Sequence, residues 1–275
     1  MRATLTAAIA ATLLLAGPAV VQAADWNGGY AGLHIGEVAD PDDNNDSILF
    51  DTNLDGNGGD TVRTAAGANA FSPGFCDGVA QDRTPAGGCK DNSGGADWGL
   101  RGGYDWDRDG FVYGLLVEYS RDDARDAVSA FSITPARYTM LRKIDDTIAI
   151  RGRLGFSFGD GDNLVYATGG YARASVDTFF ATSNAVNTFV QSGGGDTDGY
   201  QLGLGIERRF WDQISLGIEY LHTSLDDEGH RVTTQGPAPA TNPFILVNAA
   251  GTDFTRSDAD DFDLDSFRLT ASYRF

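Results

Sequence analysis

Positive charge, cysteine and long apolar runs are all scarce in this chain. Against 39 acidic residues stand 20 lysines and arginines, so the formal charge is −19. A surface this acidic repels phosphodiester backbones, which sets nucleic-acid binding aside. It attracts divalent cations, so loosely held calcium or magnesium is expected and no other cofactor is implied. Beyond the first two dozen residues no stretch reaches the roughly 20 apolar residues that a spanning helix needs. The 36 glycines argue against long helices of any kind. Of the three histidines, His34 and His230 sit in no pattern that suggests a partner. The only cysteines are Cys76 and Cys89, with no histidine or further cysteine nearby to complete a metal site.

What is present begins with a leader. Residues 1–23, "MRATLTAAIAATLLLAGPAVVQA", place Arg2 before an apolar run and Val21-Gln22-Ala23 before Ala24. That is the pattern of a secretory signal, so the mature chain is expected to be one domain over 24–275. An exported chain meets oxidising conditions, and two cysteines this close are expected to form a disulfide.

Eight segments then alternate apolar and polar residues with the period of a strand: 28–38, 97–106, 111–120, 145–158, 164–176, 198–210, 213–224 and 262–275. Most are about ten residues long, the length a tilted strand needs to cross a bilayer. Three connections are short and rich in turn residues: 107–110, 159–163 and 211–212. The other four are long, with loop one over 39–96 and loop four over 225–261. This predicts an all-β fold, an eight-stranded antiparallel transmembrane β-barrel with three short periplasmic turns and four longer extracellular loops.

Alternation alone does not say which face meets lipid. Ile148, Ile150, Leu154 and Phe156 oppose Thr147, Ala149, Arg151 and Arg153, and the same split recurs in the other segments. Three features turn the apolar face outward. Aromatics gather at the short-turn end, namely Trp26, Tyr30, Trp106, Phe111, Phe158, Tyr166, Phe210, Trp211 and Phe275. Trp98, Tyr119, Tyr220 and Phe267 would form a sparser girdle at the other end. The polar face is also rich in glycine, as a crowded lumen requires. Finally, the apolar side chains would overfill so narrow an interior. In the fifth segment the alternation is weak, and the expected register turns Arg173, Ser175 and Asp177 inward.

The expected lumen charges are Arg101, Glu118, Arg151, Arg153, Arg173, Glu207, Glu219 and Arg268. In a space of low dielectric they must pair or carry a large desolvation penalty, so they read as a plug; a small gated pore is the alternative. Loop one holds Asp51, Asn53, Asp55 and Gly56, which match the opening of a calcium loop. Val62 stands where that loop needs a bidentate carboxylate. Three loop stretches are apolar, 69–75, 127–133 and 243–251. They either form an adhesive surface or pack on one another and cap the barrel.

The segments "WNGGYAGLHIG" (26–36), "IRGRLGFSF" (150–158), "LVYATGGYA" (164–172), "LGLGIERRFWDQISLGIEYLHTSL" (202–225) and the terminal "YRF" resemble the opacity-protein-like, outer membrane immunogenic protein type of eight-stranded barrel, akin to the outer membrane protein A-type barrel. The resemblance covers strands and short turns but not the long loops. It implies a monomer in the outer membrane of a Gram-negative bacterium, in contact with outer-membrane lipids and lipopolysaccharide. It also implies a structural or surface-antigen role with no catalytic residues; an adhesin acting through its loops and a low-conductance porin are the alternatives. The last strand, with Phe267, Leu269, Ala271, Tyr273 and Phe275 on one face, resembles the assembly signal read by the barrel-insertion machinery. His222 and Ser224, with Asp226 or Glu228 to orient the ring, resemble the pair used by lipid A deacylases, and an outer-membrane hydrolase is therefore a further alternative.

Overall fold

Alternation of period two becomes eight long antiparallel strands: β1 (Gly28–Val38), β2 (Gly95–Arg108), β3 (Phe111–Asp122), β4 (Ala136–Phe158), β5 (Asn163–Thr182), β6 (Gly195–Phe210), β7 (Ile214–Asp226) and β8 (Asp261–Arg274). The structure is a computed structural model and describes residues 25–41, 46–211, 213–226, 229–258 and 261–275. The expected leader, 1–23, lies outside the described residues, as does Glu228. Each strand pairs with the next, and β8 returns to β1 in a register that runs from Tyr30 opposite Arg274 to Val38 opposite Ser266. The sheet therefore closes, and no barrel edge is left unpaired.

The short turns are tight because their residues accept positive φ. Asp109 and Gly110, at φ 52° and 85°, link β2 to β3 in the twist that a two-residue hairpin prefers. Outward from the barrel point Leu33, Ile35, Leu100, Leu115, Ile150, Leu154, Leu204, Leu216 and Leu269, all exposed. Rings flank this belt. At the short-turn end Trp106 stacks on Tyr113 and Phe111 meets Phe156. At the long-loop end stand Trp98, Tyr171, Tyr200, Tyr220 and Phe267. Such a belt between two aromatic girdles is the exterior of a membrane barrel.

Three residues expected in the lower girdle belong elsewhere. Trp26, Tyr30 and Tyr166 are buried, and they turn into the lumen. Alternation places them there, since Tyr30 shares its face with Gly32 and His34, and Tyr166 shares its face with Leu164 and Thr168. Facing glycines make the room: a Cβ on Gly103 would lie 2.6 Å from the Tyr30 hydroxyl, and one on Gly205 would lie 2.4 Å from Tyr166 Cζ.

The fifth strand is likewise the reverse of expectation. Ala172, Ala174 and Val176 face inward, while Arg173 and Asp177 face out. Arg173 lies toward the long-loop end of β5, where it pairs with Asp196 and Asp198 of β6. A charge at that height is stable outside the barrel, so it carries little information about the register of the strand.

β4 and β5 run well past their expected ends at 145 and 176, to Ala136 and Thr182. A bulge opposite Ser175 and Val176 marks where they leave the barrel wall. Above it their ladder continues, and β4 is joined there by the hairpin strand Arg125–Ser132, which in turn pairs with Gly74–Asp77. A separate four-stranded sheet is built from Thr188–Ser192, Arg231–Gln235, Thr252–Arg256 and Ile48–Asp51. Between these two layers lies an apolar core of Ile48, Phe50, Phe71, Val128, Met140, Val232, Phe244 and Phe254 with their neighbours. All three apolar loop stretches contribute to it, through Phe71, Val128 and Phe244. They pack on one another and form a folded cap above the barrel. The Cys76–Cys89 disulfide closes one flank of the cap.

Candidate functional site: a filled lumen beneath a folded cap

Inward-facing positions are small or polar along most strands, and the few long side chains among them meet across the axis. Arg151 of β4 bonds Glu118 at 2.8 Å and Glu219 at 3.2 Å. Arg101 of β2 reaches the same Glu219 at 3.2 Å, and the Tyr166 hydroxyl donates to it at 2.8 Å. Arg268 of β8 bonds Glu118 at 2.7 Å and Asp97 at 2.5 Å. His34 stands between those two carboxylates, 3.1 Å from Asp97 and 3.6 Å from Glu118.

Nearer the short turns is a second tier. Arg153 bonds Glu207 at 2.7 Å and also Asp105. Arg274 reaches the same two carboxylates and the Trp26 carbonyl. Both guanidiniums lie over aromatic rings, Arg153 over Tyr166 at 4.7 Å and Arg274 over Trp26 at 4.6 Å. Trp26 donates its indole N–H to the Gly161 carbonyl at 2.7 Å, so the floor is tied to the β4–β5 turn.

Among the described residues, five guanidiniums (Arg101, Arg151, Arg153, Arg268, Arg274) thus face five carboxylates (Asp97, Asp105, Glu118, Glu207, Glu219). The charges cancel, and each arginine has at least two acidic partners. Buried ions survive only with such satisfaction. Seven of the eight residues expected in the lumen are there, and Arg173 is not. Sequence reasoning missed Asp97, Asp105, His34 and Arg274 as members. Parity was the available signal: Asp97 and Asp105 are spaced evenly from Arg101, Arg274 from Arg268, and His34 lies on the face opposite the apolar Leu33 and Ile35.

Above the ion pairs the lumen turns apolar. Val38, Ala124, Ile144, Ala149, Ala172, Ala174, Val176, Leu225, Phe262 and Leu264 fill it. Arg142 lies over the Phe262 ring at 4.2 Å and begins a third charged layer, under the cap. There Asp126 accepts from Arg142 and Arg256 at 2.8 Å each and from Asn92 at 2.9 Å. Asp258 and Asp46 complete the group around Arg256. The carboxylate oxygens of Asp46, Asp126 and Asp258 lie close enough to share a metal ion, but two guanidiniums already supply the positive charge.

The calcium-like stretch of loop one is turned on itself. The Asp51 carboxylate accepts backbone N–H bonds from Leu54, Asp55 and Gly56, and Asp55 accepts from Asn57. Val62, at the position that should close a calcium loop, is buried in the cap core. At the outer girdle His222 bonds Asp265 of β8 at 3.0 Å, so the carboxylate that orients the ring comes from the last strand and not from Asp226. Ser224 shares the strand face of His222 and is buried there.

Comparison with known proteins places this geometry. Residues 7–275 match the family described as outer membrane protein beta-barrel domain, and the chain belongs to that family. Among curated proteins no relative matches. The solved structure of the outer membrane protein OprG from Pseudomonas aeruginosa is similar, with a TM-score of 0.52 at 14% identity, over 93% of this chain and 99% of that one. Also similar are Ail, the attachment invasion locus protein of Yersinia pestis (TM-score 0.33, 10% identity, 90% of this chain and 99% of that one), and the outer membrane protease OmpT from Escherichia coli (TM-score 0.43, 9% identity, 91% and 97%). At 14% identity the likeness to OprG is one of fold alone. This chain is an outer-membrane β-barrel protein of a Gram-negative bacterium; its short turns face the periplasm and its cap faces outward.

Proposed function

We propose that this member of the outer membrane protein beta-barrel family is a non-conducting surface protein whose work is done by its cap, with the barrel as anchor. One observation carries the reading: five arginines and five carboxylates neutralise one another across the axis, with an apolar layer above them and a tryptophan floor below. A hydrated pore needs free volume along the axis, and eight strands leave little of it once these side chains are in place. The same filling gives the fold its stiffness, which suits a structural or antigenic role. The cap, folded around its own core and closed by a disulfide, supports a second reading as an adhesin, since a rigid surface loses little entropy on binding.

The anchor is held by lipid on its belt and by lipopolysaccharide near the outer girdle, where loosely bound calcium or magnesium would offset the acidic loops. Reconstitution in planar bilayers tests the proposal. No steady conductance above the bare membrane is expected. Regular unitary currents would replace the plug with a small porin. Mass spectrometry of lipid A with and without the protein tests for an outer-membrane hydrolase, and unchanged lipid A is expected.

A further inference from the structure

All four long loops contribute to one cavity at the tip of the cap. Its volume is about 470 Å³. The floor is aromatic: Phe71 from loop one, Tyr138 from the outer half of β4 and Phe244 from loop four, with ring centroids 5.2, 5.8 and 5.9 Å apart. Asn184 from the third long loop and Asn242 from the fourth form a polar side. Both are held in place. Asn184 donates to the Tyr138 hydroxyl at 3.0 Å and to Asn187 at 3.1 Å, and Asn187 and Asn242 exchange amide bonds.

Among the described residues the lining holds no carboxylate, amine, guanidinium or imidazole. That matters in a chain with 39 acidic and 20 basic residues. An ionic ligand would enter this partly open cavity without a counter-charge from the described lining and would lose part of its hydration there. An apolar cavity of a few hundred Å³ with a small number of fixed polar groups is the form that small-molecule sites take. The burial that raises the Tyr138 hydroxyl pKa keeps that group neutral as well.

We infer that this four-loop cavity binds an uncharged small molecule, aromatic or alicyclic in body, with a hydrogen-bonding group turned to the Asn184–Asn242 side. The inference deepens the reading of the cap as the working part. Its test is independent of conductance, so a leaky barrel and an empty cavity are separable results.

The full chain in nanodiscs, with labelled alanine, valine and isoleucine methyls, is titrated with 7-methoxycoumarin, which is neutral, and with its anionic counterpart 7-methoxycoumarin-4-acetate. Saturable shifts are expected at Ala136 and Val186 and none at Ile150 on the lipid face. The anion should bind about tenfold more weakly or worse. Ala185→Trp, at the exposed mouth, should abolish the shifts while leaving heat resistance unchanged. Ser183→Asp, which adds a charge to the lining, should weaken the neutral probe. The proposal is overturned if Ala136 and Val186 do not shift, if Ile150 shifts equally, if the anion binds as well as the neutral probe, or if Ala185→Trp binds normally.

Discussion

Arg151 and Glu118 form an ion pair at 2.8 Å in which neither side chain is in effective contact with solvent, at 0% and 1% exposure. Arg151, like Arg101, links Glu118 to Glu219. Its removal leaves two buried carboxylates short of charge. Arg151→Ala should therefore cost about 3–5 kcal/mol, far more than a surface pair. The check is the temperature at which the refolded barrel loses its heat-resistant migration in gels, which should fall sharply.

Arg173 gives the contrast. Its pairs with Asp196 and Asp198 lie on the outside, with all three side chains more than half exposed. Arg173→Ala should leave stability close to that of the unaltered barrel, because exposed pairs are screened by solvent. A loss as large as that of Arg151→Ala would restore Arg173 to the lumen and overturn the register of β5.

The layer beneath the cap should respond to pH through Asp46. Burial, helped by the nearby Asp258 and Asp126 charges, pushes its carboxyl up to about 6. A raised folded value means that the protonated form is favoured in the folded cap. Its contribution is complete below the ordinary carboxylate range and is lost as pH rises through about 6. Asp258 works the other way, since its hydrogen bonds and ion pairs with Arg256 and Arg142 hold it below its ordinary value, and its contribution is lost on acidification. Hydrogen exchange of the cap amides between pH 4 and 7 should show protection declining toward neutrality. Asp46→Asn should flatten that decline.

The Cys76–Cys89 bridge closes a loop with a sequence separation of 13. Chain entropy for a loop of that size is worth about 3 kcal/mol. The bridge lies entirely in the cap, so Cys76→Ser should open loop one to protease at unchanged barrel heat resistance. Limited proteolysis followed by gel analysis separates the two.

Phe275 ends the lipid-facing row of Phe267, Leu269, Ala271 and Tyr273, and the residue is 77% exposed. Little protein packing depends on it, so Phe275→Ala should shift the stability of the refolded barrel by under about 1 kcal/mol. Insertion in cells should slow markedly if this row is what the assembly machinery reads. Pulse-chase acquisition of heat resistance measures it.

The barrel was largely legible because membrane strands obey a strict parity, which places Arg101, Glu118, Arg151, Glu207 and Glu219 inward from sequence alone. Parity was most fragile where a strand carries alternating small residues, as in β5, and where an aromatic at a strand end fits either a girdle or a floor, as with Trp26, Tyr30 and Tyr166. The cap was less legible. Its apolar stretches announced burial, but what they pack against is set by contacts between residues as far apart as Phe50 and Phe254. No local period records such contacts, and the aromatic cavity exists only after all four loops have met.

β4, at 23 residues, is the longest strand among the described residues, and its ladder with β5 continues past the bulge at Ser175 and Val176 into the cap. At about 3.3 Å per residue its path is roughly 75 Å, about three times the height of a typical apolar band. A paired ribbon of that kind bends far less than a tether. The tip is therefore held at a set stand-off from the lipid headgroups, like a mast, and whatever approaches the cell meets it at one height and in one orientation.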